Sequence, residues 1–498
     1  MLHVCATTAV AFACSSDFTD ASDRAVTLEA IGLPPELHVT DVDTIEIRVR
    51  FRDSPQEITG LRVRWQSSNE DVLRVVPLQP DSEGTREDSL IAERRAVVTG
   101  RASGSGMVHV AVDAGNGFEP ADSTYVIPVK LKWRAVTAGL AHTCGITVDS
   151  VAYCWGEGLN GKLGAGPNSS LKPTPIVALG AYKFVAMSAG DEGTCGIIRE
   201  HVAFCWGSDT EGRLGIGDAT ETPRFIPTAV SGPAFSAIDV GRVACSLGQT
   251  GVASCWGTNV EKQLGHAAAQ PPALTICADG LSQGCSLVPL ELSRLAGTPT
   301  SYRQITVGAH HVCGLSEQPQ SQLAFCWGTG SSGALGSVTS SPTPVPVAGS
   351  FLFLSIAAGG DHTCGIATTG DTYCWGLNAS GQLGDSTSGN LATPSLITRG
   401  SFVSITAGGQ HTCALTSAGE AWCWGLGSAG QLGTDSTIQR APRSVSTGLR
   451  FSTLSAGESH TCGVTSEGSL YCWGAGTSGQ LGTNDFVNRA RPTRVAEP

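Results

Sequence analysis

Charge is scarce in this sequence: Asp, Glu, Lys and Arg make up 15% of 498 residues, Met occurs three times, and aromatic residues supply 6%. A chain so poor in ion-pairing side chains does not build long solvated helices laced with salt bridges, so short strands and tight turns are the expectation. Its 63 glycines point the same way. There is no dense run of Lys and Arg, and 31 basic residues stand against 43 acidic ones, which argues against a nucleic-acid-binding surface. No run of 18 or more apolar residues is present, so no helix is expected to cross a membrane. No Cys-x-x-Cys pair occurs, which removes zinc sites of that spacing.

What is abundant is cysteine, 18 in all, and without metal spacing that number points to disulfides in an oxidising compartment and hence to export. The first residues fit. Leu2 to Ala13 is short and apolar, and Ala11-Phe12-Ala13-Cys14 runs directly into polar Ser15-Ser16-Asp17. This segment, residues 1–14, resembles a bacterial lipoprotein signal, which implies lipid attachment at Cys14; a plain cleaved signal and a cytosolic N-terminus are the other readings. A lipidated protein would sit at the outer membrane, the cell surface or in the periplasm, touching membrane only through its anchor. Residues 15–24 are polar and acidic and read as a tether.

Residues 25–130 read as strands. Thr44 to Phe51 and Met107 to Val112 alternate polar and apolar side chains at period two, the pattern of half-buried antiparallel strands. The stretch from Trp65 to Leu73, with Val97 to Thr99 and Gly104 to Val112, resembles the bacterial immunoglobulin-like domain of the second type. That resemblance implies a β-sandwich serving as a spacer, with Trp65 anchoring its core.

From Trp133 onward one unit recurs seven times. Cys-Trp-Gly begins at Cys154, Cys205, Cys255, Cys326, Cys374, Cys423 and Cys472, and each is preceded by another cysteine, at Cys144, Cys195, Cys245, Cys313, Cys364, Cys413 and Cys462. In the fifth unit, His362 to Ile366 and Thr372 to Gly376 flank the turn at Thr369-Gly370-Asp371, which makes a β-hairpin. Directly opposed non-hydrogen-bonded residues of such a pair lie about 4.5 Å apart, within disulfide reach. Each unit therefore closes its own disulfide. The extra residues of the fourth unit fall in its turn, between Leu315 and Leu323, and leave the register intact. Each unit continues with Gly-x-Leu-Gly and a Pro-containing outer strand such as Pro342 to Val345, giving about four strands per repeat.

The succession Ala-Gly-x-x-His-Thr-Cys, Tyr-Cys-Trp-Gly, Gly-Gln-Leu-Gly, Pro-x-x-Val closely resembles the regulator of chromosome condensation repeat family. The resemblance spans residues 133–495 and implies a seven-bladed β-propeller over residues 131–498. The whole chain is thus expected to be all-β: an immunoglobulin-like sandwich followed by a propeller. Members of this propeller type include a bacterial β-lactamase inhibitor.

His142, His311, His362, His411 and His460 stand two residues before a first cysteine, where the second and third units carry Gly193 and Val243. Equivalent positions of neighbouring blades are too far apart to share an ion, so these histidines read as structural hydrogen-bonding groups and no metal is expected. The repeated Trp after the second cysteine reads as packing between blades. One interval is irregular. Residues 266–300 hold Cys277 to Cys285, an expected eighth disulfide, with Asp279, Leu281 and Gln283 as candidate binding-loop residues; replacing 268–296 by a short linker is expected to leave the propeller folded. With no free thiol left in the mature chain and no defensible Ser/His/Asp set, no catalytic residue and no cofactor are assigned. The leading functional expectation is an exported, monomeric binding module for an unidentified protein. An inhibitor of a secreted enzyme is the alternative, and a lyase or hydrolase at the propeller mouth comes third.

Overall fold

The computed structural model describes residues 3–7, 10–14, 26–34, 37–38, 42–51, 62–78, 95–101, 104–113, 121–266, 284–317, 322–397, 400–445 and 447–498. Among them no α-helix occurs; there are strands and two short 3₁₀ turns. The contacts separate residues 1–132 from residues 133–496.

The first unit holds two four-stranded sheets. In one, Leu37–His38, Ala121–Lys130, Gly104–Asp113 and Arg62–Ser67 lie side by side; in the other, Val26–Ile31, Val42–Phe51, Arg95–Gly100 and Leu73–Pro77. From Met107 to Val112 exposed and buried residues alternate one by one, with Val108, Val110 and Val112 in the core beside Ile127 and Val129. Trp65 lies on the edge strand of its sheet, pairs with buried Val110 and is itself partly buried. The residues expected to form the export signal are paired as a hairpin of His3–Thr7 and Val10–Cys14.

The second unit is a ring of seven four-stranded antiparallel blades. Each blade uses four strands consecutive in sequence, from Trp133–Ala138, His142–Thr147, Ala152–Glu157 and Leu171–Val177 in blade 1 to Phe451–Ala456, His460–Thr465, Leu470–Gly474 and Arg489–Arg494 in blade 7. No strand is exchanged to close the circle. Blade 7 meets blade 1 through contacts such as the Trp133 amide on the Gly468 carbonyl, 2.8 Å, and the Glu458 amide on the Gly139 carbonyl, 3.1 Å.

Within each blade the second and third strands form the hairpin that carries the cysteines. Cys144 opposes Cys154, and Cys313 opposes Cys326 despite the longer turn; all seven pairs are bonded, with Cα atoms 4.1 Å apart. The seven tryptophans that follow are fully buried. Each packs on the aromatic that opens its own inner strand, as Trp375 does on Phe353 with ring centroids 5.7 Å apart.

One expected boundary is corrected. Cys285–Glu291 is not part of an excursion but the outer strand of blade 3, pairing Thr258 with Cys285 and Cys255 with Leu290. A fourth strand is needed to cover the third, and Pro289 occupies the proline-tolerant outer edge as in the other blades. The true insert ends near Gly284, so replacing residues 268–296 would delete a blade strand.

Candidate functional site

The joints between blades come first, because they define which residues are spoken for. In blade 5, His362 Nε2 lies 2.9 Å from Thr412 Oγ1 of blade 6, and that hydroxyl donates to the Gln382 carbonyl of blade 5, 2.9 Å away. Trp424 of blade 6 donates its indole N–H to the same carbonyl. Since the threonine proton is committed to the carbonyl, the imidazole must donate from Nε2 and stay neutral. The same tie joins His142 to Thr194, His311 to Thr363, His411 to Thr461 and His460 to Thr143. Burial pushes all five imidazoles down, to about 3 for His142, His362 and His411 and about 4 for His311 and His460.

The tie explains the exceptions. Blade 2 has Gly193 for the histidine, and blade 3 then has Ala244 for the threonine; blade 3 has Val243, and blade 4 then has Val312. Donor and acceptor are lost together, since a lone buried partner would be left unsatisfied. The joint loss is visible once the repeats are aligned, but each partner lies about fifty residues from the other, and the hairpin logic looks only within a repeat.

The inner strands wall a central channel that opens into a cavity of about 370 Å³. A hydroxyl on most inner strands accepts an amide of the next blade: Thr137 from Ala189, Ser188 from Val240, Thr306 from Ala358, Thr406 from Ala456, Ser455 from Ala138. Blade 3 places Asp239 there. Its carboxylate accepts from the Val307 amide at 2.7 Å and from the Ser188 hydroxyl at 2.8 Å, and burial holds its pKa above the ordinary carboxylate range.

At one end the channel is rimmed by the loops between first and second strands. These loops share a face with the connections from third to fourth strands, because the antiparallel register sets His142 opposite Gly156. Seven loops bring Leu140, Asp191, Arg242, Ala309, Gly360, Gly409 and Glu458 to this mouth. Burial, partly offset by Arg242, raises Asp191; burial and the charges of Asp191 and Asp361 raise Glu458. Next to them His310 Nδ1 lies 2.9 Å from Asp361, an ion pair that raises the imidazole and lowers the carboxyl. Lys162, almost wholly buried, bridges Glu157 at 2.6 Å and Glu192 at 3.2 Å. Among the described residues no group of three or more His, Cys, Asp or Glu has the arrangement of a metal site.

Four departures from the repeat coincide at blade 3 on this face: Asp239 in the channel, Arg242 at the mouth, a first loop one residue shorter than in the other blades, and the insert that leaves at His266 and returns at Gly284. Cys285 is disulfide-bonded. Cys277, Asp279, Leu281 and Gln283 lie outside the described residues. The ionisable mouth escapes a reading of the sequence, because its members are scattered over five repeats and meet only when the ring closes.

Blade 2 adds a titratable oddity. Where Asn259 and Asn378 accept the Leu264 and Leu383 amides, Asp209 accepts that of Leu214, and its other oxygen is buried without a partner among the described residues. Burial raises Asp209 to about 6. A carboxyl raised in the folded state costs stability that accrues as pH climbs from the unfolded value of 3.8 to the folded one and is complete above it. Asp209→Asn should therefore stabilise the protein by about 1–2 kcal/mol near pH 7.5 and by little below about pH 4, as read by urea unfolding.

Two models described as the regulator of chromosome condensation (RCC1) repeat match the chain, one at residues 149–197, 323–366, 369–415, 418–464 and 467–498, the other at 353–382, 402–431 and 451–480. Among curated proteins, the ultraviolet-B receptor UVR8 of Arabidopsis thaliana is 28% identical over 219 residues, covering 42% of this chain and 45% of the receptor. The human E3 ubiquitin-protein ligase HERC2 is 28% identical over 284 residues, 56% of this chain and 6% of the ligase. The chain thus spans less than half the length of these relatives. Among solved structures, yeast RCC1 (Prp20) bound to Kap60 superposes with a TM-score of 0.59 at 20% identity, over 69% of this chain and 83% of that one. Human WBSCR16 gives 0.60 at 19%, over 70% and 94%. With its seven blades and their repeated joints, this chain belongs to the regulator of chromosome condensation repeat family.

Proposed function

We propose that this chain is a protein-binding module without catalysis, exported and held at a membrane through lipid on Cys14, with residues 25–130 as an immunoglobulin-like spacer. The observation that carries the binding role is the clustering of departures at blade 3. Repeats retain what the ring needs in order to close, and Arg242, the shortened loop and the insert are not needed for that. They gather on the face that also bears Asp191, His310, Asp361 and Glu458, where loops from several blades offer a recognition surface. Proteins of this repeat family are bound by other proteins, as the complex of yeast RCC1 (Prp20) with Kap60 illustrates. Export is supported by seven bonded cysteine pairs, which persist in oxidising compartments.

The test is capture of secreted and surface proteins of the source cell by the 25–498 fragment, repeated with Arg242→Glu and with residues 268–282 replaced by a Gly/Ser linker. A partner retained by the wild type and lost, or weakened at least about tenfold, by either variant is the expected result. A partner held equally by all three moves the binding face elsewhere.

A further inference from the structure

The seven joints of the ring are not equally tied. In the five joints with a histidine, the imidazole and the next blade's threonine add two buried hydrogen bonds to the one made by tryptophan. The join of blade 7 to blade 1 is one of these five: His460 reaches Thr143 at 2.7 Å, Thr143 donates to the Gln480 carbonyl at 2.8 Å, and Trp155 donates to the same carbonyl. Although no strand is exchanged there, this join is as well made as any other.

The two joints that flank blade 3 lack the tie, but they compensate differently. Between blades 3 and 4, Val243 and Val312 replace the polar pair with apolar bulk, and both belong to a cluster of 13 buried residues with Leu264, Tyr302, Phe325 and Trp327. An apolar pair of similar size in place of a hydrogen-bonded pair is close to neutral. Between blades 2 and 3 the replacements are Gly193 and Ala244. Of these only the Ala244 methyl joins the cluster at that joint, which numbers nine buried residues, as in the tied joints between blades 1 and 2 or 6 and 7. This joint has lost the two hydrogen bonds of the tie, regains one from the Ser188 hydroxyl to Asp239, and has gained almost no packing surface. What spans it, among the described residues, is the Trp256 indole on the Arg213 carbonyl, the Val240 amide on the Ser188 hydroxyl, that hydroxyl on the Asp239 carboxylate, the Asp191 amide on the Gly241 carbonyl and the Gly217 amide on the Leu287 carbonyl.

We propose that the propeller opens at the joint between blades 2 and 3 and not where its first and last blades meet, so that the recognition face flexes beside Asp191 and Arg242. A propeller with no exchanged strand opens at its weakest side-chain joint, and the sequence has placed that joint in the interior of the chain. The inference rests on the joint chemistry alone and stands whether or not a partner binds this face.

Native-state amide exchange on the full chain, resolved to single residues, tests it. Three amides occupy the same position in different joints: Val240, held by Ser188 between blades 2 and 3 and also by the neighbouring Asp239 carboxylate at 3.2 Å; Ala456, held by Thr406 between blades 6 and 7; and Ala138, held by Ser455 between blades 7 and 1. A net deficit of one buried hydrogen bond predicts that Val240 exchanges about tenfold faster than the other two. Gly193→His with Ala244→Thr installs the missing tie and should slow Val240 to their rate. The converse pair, His460→Gly with Thr143→Ala, strips the closing joint to the composition of joint 2/3 and should bring Ala138 up to the rate of Val240. Equal rates for the three amides in the wild type, or Ala138 as the fastest, overturn the proposal. So does an Ala138 that stays slow in the stripped ring, an outcome that can be read even where the tie-installing variant does not fold.

Discussion

Acidified from about pH 7.5 to pH 5, the propeller is expected to lose stability steeply, with a fall in thermal midpoint on the order of 10 °C. The cause lies in His142, His311, His362, His411 and His460, each buried and neutral with a pKa of about 3 or 4 against 6.5 in an unfolded chain. A group whose folded pKa is depressed leaves the unfolded state binding more protons. The stability it contributes is complete above about pH 6.5 and drains away as pH falls toward the folded value. At pH 5 that is about 2 kcal/mol per histidine, since each pH unit between the two values is worth about 1.4 kcal/mol.

The surroundings modulate the individual contributions without reversing them. Lys162 and His460 lower His142 further, whereas Asp361 partly offsets burial at His311 and His362. Opposite in sign are Asp191, Asp209, Asp239 and Glu458, whose raised pKa values return some stability on acidification. Five histidines outweigh these four carboxyls, because each imidazole is held at about 3 or 4 against 6.5 unfolded and so resists its proton across the whole range from pH 6.5 to 5. Calorimetric scans across pH 7.5 to 4.5 check the expectation, and a midpoint flat over that range would mean that the imidazoles are solvated or charged in the native ring.

Thr461→Val should cost about 2–3 kcal/mol, and adding His411→Val should return part of it. The single change leaves the His411 N–H buried without an acceptor and removes the bond from Thr461 to the Gln431 carbonyl, which keeps only the Trp473 indole. The double variant recreates the Val243 and Val312 arrangement that the chain already tolerates between blades 3 and 4. A coupling energy of at least about 1 kcal/mol in a urea double-mutant cycle at pH 7.5 is expected, and simple additivity would refute the tie. The double variant should also be less acid-sensitive than the wild type, since one of five titrating groups is gone.

Periodicity and local geometry make most of the propeller legible in the residues alone. The cysteine pairs, the hairpin register and the blade count depend on residues within about fifty positions of one another, where spacing translates directly into contact. Leu264, Val312 and Trp327, by contrast, come together across a joint for which the repeat supplies the position but not the partner. The outer strand Cys285–Glu291 escapes the spacing argument because Cys285 reads as the end of a disulfide loop, whereas its pairing with Thr258 is a fact about the third strand.

What the sequence determined by itself was therefore everything set by local register: seven hairpins, seven clamps, all-β architecture and the family. Tertiary structure alone decided what requires the ring to be closed. That includes the matching of each histidine to a threonine one blade on, the gathering of Asp191, Arg242, His310, Asp361 and Glu458 at one mouth, and the inequality of the joints around blade 3. The physical reason is distance along the chain. A contact between residues ten apart is imposed by the hairpin, whereas one between residues fifty or three hundred apart exists only once every intervening blade has taken its turn around the axis.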